Sequence, residues 1–151
     1  MLIFLDIDGV MVPAKSWKSP ELLHDGFPAF SSRAIHTLQR FISEDVTIML
    51  TTSHKSTYSI EEWRSIFKNR GINIYKIEVL PANLNNVSRR EEIENWFNMH
   101  HRGEHFVIID DDTSLHDLPG FLKEHLIGTS PLIGLVEEHF EKFRSISNMA
   151  M

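Results

Sequence analysis

Leu2-Ile3-Phe4-Leu5-Asp6-Ile7-Asp8-Gly9 is the stretch on which the fold turns. Four consecutive apolar residues bounded by a turn signal read as a short strand buried on both faces, the kind found inside a parallel sheet. That strand runs directly into two aspartates. Side chains alternate across a strand, so Asp6 and Asp8 are expected to project to the same side while Ile7 points away. Two anions held that close repel unless a cation lies between them, so the spacing suggests a divalent metal. An all-oxygen site suits Mg²⁺, which takes one or two carboxylates and keeps positions open for water and substrate phosphate. The calcium loop of helix-loop-helix proteins also contains Asp-x-Asp-Gly, but its register excludes it here. With Gly9 at the sixth loop position, Phe4 falls at the first and Lys15 at the twelfth, where carboxylate ligands are needed.

Beyond this strand, short apolar runs alternate with segments of helical period, which predicts an α/β fold with a mostly parallel sheet covered by helices on both faces. Residues 13–30 carry Pro, Lys, Ser and Trp without clear period and read as a loop insert. Ser31 or Ser32 caps a helix with Ile35, Leu38, Phe41 and Ile42 on its apolar side. A second strand, Val46 to Leu50, ends in Thr51-Thr52-Ser53. Ser59 and Glu62 form a capping box for a helix with Ile60, Trp63, Ile66 and Phe67 along one stripe and Gly71 as its stop. Ile72, Ile74 and Ile77 to Leu80 supply a third strand, and residues 81–87 a loop. Ser88 and Glu91 make a second capping box, opening a helix that buries Ile93, Trp96 and Phe97. Phe106-Val107-Ile108-Ile109 is a fourth strand, followed at once by Asp110-Asp111-Asp112. A last helix is expected from Leu135 to Ser147, with Val136, Phe140, Phe143 and Ile146 on one side.

At 151 residues the chain fits a single domain, 1–151, able to bury about two thirds of its unfolded surface. The absence of cysteine excludes disulfides, thiolate metal sites and cysteine nucleophiles, and fits an intracellular protein. The first apolar stretch is short, lacks a basic leader and contains Asp6 and Asp8, so it is neither a secretion signal nor a membrane span; a cytoplasmic location is expected. A formal charge of −6 argues against broad electrostatic affinity for nucleic acid or anionic membrane, while leaving room for a local basic patch.

Ligand sites in open parallel sheets lie at the carboxyl ends of the strands. Three apolar runs end there in functional groups: Asp6 with Asp8, Thr51 with Thr52, and Asp110 with Asp111. If the strands are parallel, all three clusters meet at one edge. In this order the residues resemble the haloacid dehalogenase (HAD) superfamily of phosphohydrolases. The strand followed by Asp6-x-Asp8-Gly9-Val10 is similar to that superfamily's first motif and Thr51 after Ile48-Met49-Leu50 to its second. Arg89 or Arg90 at a helix start is similar to its basic third motif, and Ile108-Ile109-Asp110-Asp111 to its acidic fourth. The closest likeness is to the small domain of Swiss Army Knife RNA repair proteins. Its strand-Ser-Ser-Ser segment parallels Thr51-Thr52-Ser53, its Arg-x-x-Glu-Ile parallels Arg89-Arg90-Glu91-Glu92-Ile93, and its terminal Gly-Leu parallels Gly134-Leu135. His54-Lys55 depart from it, standing where Trp-Arg is expected.

The resemblance implies a Rossmann-like α/β/α sandwich and a Mg²⁺-dependent phosphatase. It implies that Asp6 is the nucleophile, forming an aspartyl-phosphate that water hydrolyses. Mg²⁺ would be held by the Asp6 carboxylate, the Asp8 backbone carbonyl and Asp110 or Asp111. Asp8 would protonate the leaving oxygen and later activate water. Thr51, with Thr52 as its rival, would donate a hydroxyl to a phosphoryl oxygen; Arg89, with Arg90 as its rival, would supply fixed positive charge; and Gly9 would let the backbone turn sharply beside the phosphate. Asp112 is the least suited of the three acids to bind metal.

Plainer readings hold elsewhere. His100, His101 and His105 lie in a Gly-containing loop without a zinc-ligand pattern and read as polar surface. Trp63, Trp96 and Phe97 fall at helical spacing and read as core. For Trp17, flanked by Lys15 and Lys18 in the loop after the first strand, contact with substrate is the alternative to a plain loop position. Many HAD proteins carry a cap domain over the site, and this chain has no room for one. An open site would admit a bulky phosphate carrier, such as a nucleic-acid end or a phosphoprotein, or be closed by a partner subunit. Two other functions share these residue types. A phosphotransferase would pass the group to an acceptor other than water. A receiver-like switch would place its phospho-accepting Asp after the third strand, which here lacks an acidic terminus.

Overall fold

The computed structural model describes residues 1–14, 19–100 and 105–149. Five short parallel strands alternate with helices in the order β1 (Leu2–Leu5), α1 (Ser32–Phe41), β2 (Thr47–Leu50), α2 (Ile60–Lys68), β3 (Lys76–Val79), α3 (Arg89–Met99) and β4 (Phe106–Asp110). A 3₁₀ turn (Thr113–Asp117), α4 (Gly120–Lys123), β5 (Leu126–Gly128) and α5 (His139–Ser147) complete the chain. The sheet order is β3-β2-β1-β4-β5, all pairs parallel.

Alternation along β1 sorts the core into two layers. Ile3 and Leu5 join Ile48, Leu50, Val107 and Ile109 under α1, α2 and α5, through Leu38, Phe41, Trp63, Phe67 and Phe143. Leu2 and Phe4 face the other way, packing with Met49 and Ile108 against Ile93 and Trp96 of α3 and Leu115, Leu118 and Leu122 beyond β4. The result is the expected three-layer α/β/α, Rossmann-like sandwich. Trp63 and Trp96 are buried and Phe97 partly so, as their helical spacing predicts. The chain leaves β1 toward β2 and β3, then recrosses through α3 to β4 on the opposite side of β1. This reversal opens a crevice above β1 and β4, where ligands bind in such sheets.

Several boundaries differ from the sequence expectation. Val46 precedes β2, its amide closing a turn onto Ser43 O at 3.1 Å. Ile72 and Ile74 are buried but lie in the connection: Gly71 at φ +83° ends α2, and Ile72 N bonds back to Phe67 O. The third strand is only Lys76–Val79, an edge strand alternately exposed and buried. Leu135 and Val136 are buried without being helical. Gly134 at φ +78° sits so close to Val10 O that a Cβ there would lie 2.6 Å from it, and Leu135 N donates to that same carbonyl at 2.8 Å, so α5 begins only at His139. Ser59 and Glu62 form the full capping box, whereas Ser88 makes a single cap, its Oγ accepting from Glu91 N at 3.2 Å. β5 and the two short helical turns before it carried no readable period.

No large cap is present among the described residues. In the insert after β1, Leu22 and Pro28 form an antiparallel bridge within the insert itself, and Phe27 and Phe30 enter the core. Residues 15–18, with Lys15, Trp17 and Lys18, and His101 lie outside the described residues.

Candidate active site

Register places the site. Leu5 pairs with Leu50 on one side and Ile109 on the other, so one residue further on Thr51, Asp6 and Asp110 stand side by side at the carboxyl rim. Backbone bonds continue the row: Thr51 N donates to Leu5 O at 3.0 Å, Asp6 N to Ile109 O at 3.1 Å, and Thr129 N to Asp110 O at 3.1 Å. All four side chains are buried. The ladder fixes where each of these residues stands, and burial limits the rotamers open to their side chains, so the row is preorganised.

Into this row α3 delivers Arg89, the first residue after its Ser88 cap. Its Nη1 donates to Asp110 Oδ2 at 2.7 Å and to Thr51 Oγ1 at 3.1 Å, and lies 3.5 Å from Asp6 Oδ1. The Thr51 hydroxyl accepts here and so keeps its own proton for another acceptor. Thr52, equally buried, uses its Oγ1 to accept from His54 N at 3.3 Å. Arg90 is half exposed and pairs with Glu94 at 3.8 Å on the helix surface. Of each rival pair, then, Thr51 and Arg89 face the acids.

Asp6, Asp110 and Asp111 can each bring a carboxylate oxygen within 4.8 Å of the others. Three hard oxygen donors at that separation fit a Mg²⁺ ion. Gly9 makes room for them: it sits at φ +80°, and a Cβ on it would collide with the Asp111 carboxylate. Asp112 stands apart. Its Oδ1 accepts from Ser114 N at 2.8 Å, capping the 3₁₀ turn, while its amide donates to Asp110 Oδ1 at 3.0 Å. His100 caps the end of α3 and stacks on Trp96; no histidine joins the acidic group among the described residues.

The electrostatics show a deficit of positive charge. Asp6 has its pKa pushed up to about 9, first by burial and then by the Asp110 charge, which Arg89 offsets only in part. Asp110 is also raised by burial, against the pull of Arg89. Burial alone would lower Arg89, but the charges of Asp110, Asp6 and Glu92 reverse this and raise it. A divalent cation among these carboxylates would offset the excess negative charge.

Asp8 does not share the carboxylate cluster. The strand ends at Leu5, and Ile7 through Val12 turn tightly, with Val10, Met11 and Val12 amides all directed at Ile7 O. Strand alternation therefore stops before Asp8, whose exposed carboxylate lies 2.9 Å from His54 Nε2. Three further residues of the site, Lys55, Glu92 and Thr129, have no role assigned to them by the sequence. Lys55, buried, bonds Glu92 at 2.9 Å, and Glu92 in turn lies 3.4 Å from Arg89 Nε. Thr129, one residue past β5, donates to Gly9 O at 2.7 Å and fixes the turn from below. Only the spacing of Glu92 behind Arg89 on α3 offered a signal for any of these.

The sequence matches the family described as the HAD domain in Swiss Army Knife RNA repair proteins over residues 2–140. The chain belongs to this HAD family. Membership points to phosphohydrolase chemistry in general, and HAD proteins generally use Mg²⁺, for which the acidic group of this HAD domain is suited. No curated protein and no solved structure matches the chain. No helix among the described residues is long and apolar enough to cross a membrane.

Proposed function

We propose that this HAD domain, with residues 1–151 acting as one catalytic unit, is a Mg²⁺-dependent phosphatase working through an aspartyl-phosphate on a bulky phosphomonoester. The single observation that carries the reading is the convergence of Asp6, Asp110 and Asp111 on one point beside Arg89 and Thr51. Phosphoryl transfer asks mainly for alignment and for neutralisation of negative charge, and these groups supply both. Mg²⁺, held by the carboxylates of Asp6, Asp110 and Asp111 and the backbone carbonyl of Asp8, would supply the positive charge that keeps Asp6 ionised and screens it from the incoming phosphate.

An Asp6 carboxylate oxygen attacks phosphorus, the ester P–O bond breaks, and the departing alkoxide takes its proton from Asp8. Water then attacks the aspartyl-phosphate while Asp8 accepts its proton, releasing inorganic phosphate and restoring both carboxyl groups. Thr51 and Arg89 hold the phosphoryl oxygens throughout.

Access supports a large carrier. A polar cleft of about 560 Å³ opens beside Arg89, with Ser53, Ser56, Asn83 and Asn86 in its walls, and a mainly apolar one of about 500 Å³ opens beside Asp8. The RNA repair proteins that give the family its description make a nucleic-acid end the substrate to try first.

The test is phosphate release from an aryl phosphate, end-phosphorylated oligonucleotides and a phosphopeptide, with Mg²⁺ or with EDTA. Asp6→Asn is expected to lower the rate by on the order of 10³ or more. Release that survives EDTA or the Asp6→Asn substitution overturns the proposal, and the oligonucleotide against the phosphopeptide decides the carrier.

A further inference from the structure

We propose that His54 is a positioning residue that holds Asp8 for proton transfer; this rests on the phosphatase reading above. Asp8 emerges next to three carboxylates that share one point, and a fourth acid so placed would be drawn to the same cation. Instead it is held on the β2 side, where Thr51 lies. The contact that holds it is His54 Nε2 to Asp8 Oδ2, 2.9 Å. With Oδ2 occupied, Oδ1 is left as the oxygen that carries the proton to the leaving group.

An ion pair between exposed side chains contributes little to stability, and both of these are exposed, so the significance of the contact depends on whether its partners are fixed. His54 is fixed from two directions. Its amide donates to Thr52 Oγ1 at 3.3 Å inside the turn that follows β2. Its ring meets Phe27 edge to face, centroids 5.6 Å apart at 84°. Phe27 is itself immobile: it is buried, its amide donates to Asp25 Oδ1 at 3.0 Å, and its carbonyl accepts from Arg70 Nη2 at 2.8 Å. The insert after β1 thus braces the histidine that orients the aspartate.

The experiment separates proton delivery from everything else by leaving group. The phenolate leaving phenyl phosphate is basic and needs a proton as the P–O bond breaks, whereas the 2,4-dinitrophenolate leaving 2,4-dinitrophenyl phosphate departs as a stable anion. kcat/KM reports only the steps through the first phosphoryl transfer, so the later attack of water does not mask the comparison. His54→Ala is expected to lower kcat/KM about tenfold on phenyl phosphate and less than about twofold on the dinitrophenyl ester, the scale of a misplaced general acid. His54→Gln, which keeps a donor near the Nε2 position, should return most of the loss. Equal losses on the two esters, no loss on either, or a Gln variant no better than Ala overturns the inference while leaving the phosphatase reading intact. If the unsubstituted protein shows no Asp6-dependent hydrolysis of either ester, the reading fails and takes the inference with it.

Discussion

Two arginines are tucked into this molecule beside carboxylates, and their surroundings differ in one respect. Arg70 grips Asp25 with both terminal nitrogens, at 2.7 and 3.1 Å, and gives its remaining donors to the carbonyls of Ile66, Phe27 and Pro28. One cation meets one anion, every donor is satisfied, and the Asp25 carboxyl is held well below the usual carboxylate range, chiefly by the Arg70 hydrogen bonds. Arg89 faces Asp110, Asp6 and Glu92 together, its Nε lacks a hydrogen-bond partner among the described residues, and Asp6 is driven the opposite way, up to about 9. A balanced pair is a clamp. An unbalanced group is a site that has room for a cation and a ligand, which is why strongly shifted carboxylates gather where chemistry is done.

Arg89→Ala should cut the rate of phosphate release by on the order of 10² to 10³, because a fixed positive charge on the phosphoryl oxygens is lost. Arg90→Ala, removing a helix-surface pair with Glu94, should stay within about twofold. Similar losses for both in steady-state kinetics would show that Arg89 holds no special place. Asp25→Ala should do the reverse: leaving the buried Arg70 guanidinium without its carboxylate costs about 3 kcal/mol of unfolding free energy in urea titrations. Its effect on the Mg²⁺ affinity of the rim should be slight. An Asp25→Ala protein of unchanged stability would mean that the carbonyls alone suffice for Arg70.

The two regions also differ in how readable they were. The rim was legible because each piece sits at the end of a local pattern: four apolar residues and then Asp6, three and then Thr51, four and then Asp110. Parallel pairing does the rest, since equal strand register brings those ends into line. The clamp was not legible. Asp25 lies in a segment without period, Arg70 follows the last turn of α2, and 45 positions separate them, so nothing local joins the two. The same holds for Lys55 with Glu92 and for Thr129 with Gly9. β5 fails for a different reason: Leu126–Gly128 is three residues long, too short for alternation to declare itself, and it exists because β4 offers it an edge. Asp8 shows the limit of periodicity most sharply. Alternation assigns a side only while a strand continues, and here the turn onto Ile7 O begins first.

The finest division between clamp and rim is in the pH dependence of stability, where the two carboxylates act with opposite sign. Asp25 has a folded pKa below its unfolded value near 3.8, so its stabilisation is present above that value and is lost as the pH falls below it. Asp6, in metal-free protein, has a folded pKa raised to about 9 from the same unfolded value. The folded state then holds the proton more tightly, so the contribution of Asp6 to stability is full below about pH 4 and is lost as the pH rises toward 9. The slope of a single group cannot exceed about 1.4 kcal/mol per pH unit. Urea midpoints in EDTA between about pH 5 and 8 should therefore fall with pH, and Asp6→Asn should flatten that fall. His139, whose pKa burial lowers from 6.5, tilts the curve the other way below that value, and the difference between wild type and Asp6→Asn removes its contribution. Saturating Mg²⁺ should abolish the decline, because an ion that binds only the deprotonated carboxylates stabilises the folded state more as the pH rises. Asp25→Asn should leave this whole window unchanged in slope and alter only the limb below about pH 4. A metal-free protein whose stability does not decline across about pH 5 to 8 would show that the rim already balances its own charge, and the distinction between the two arginines would vanish with it.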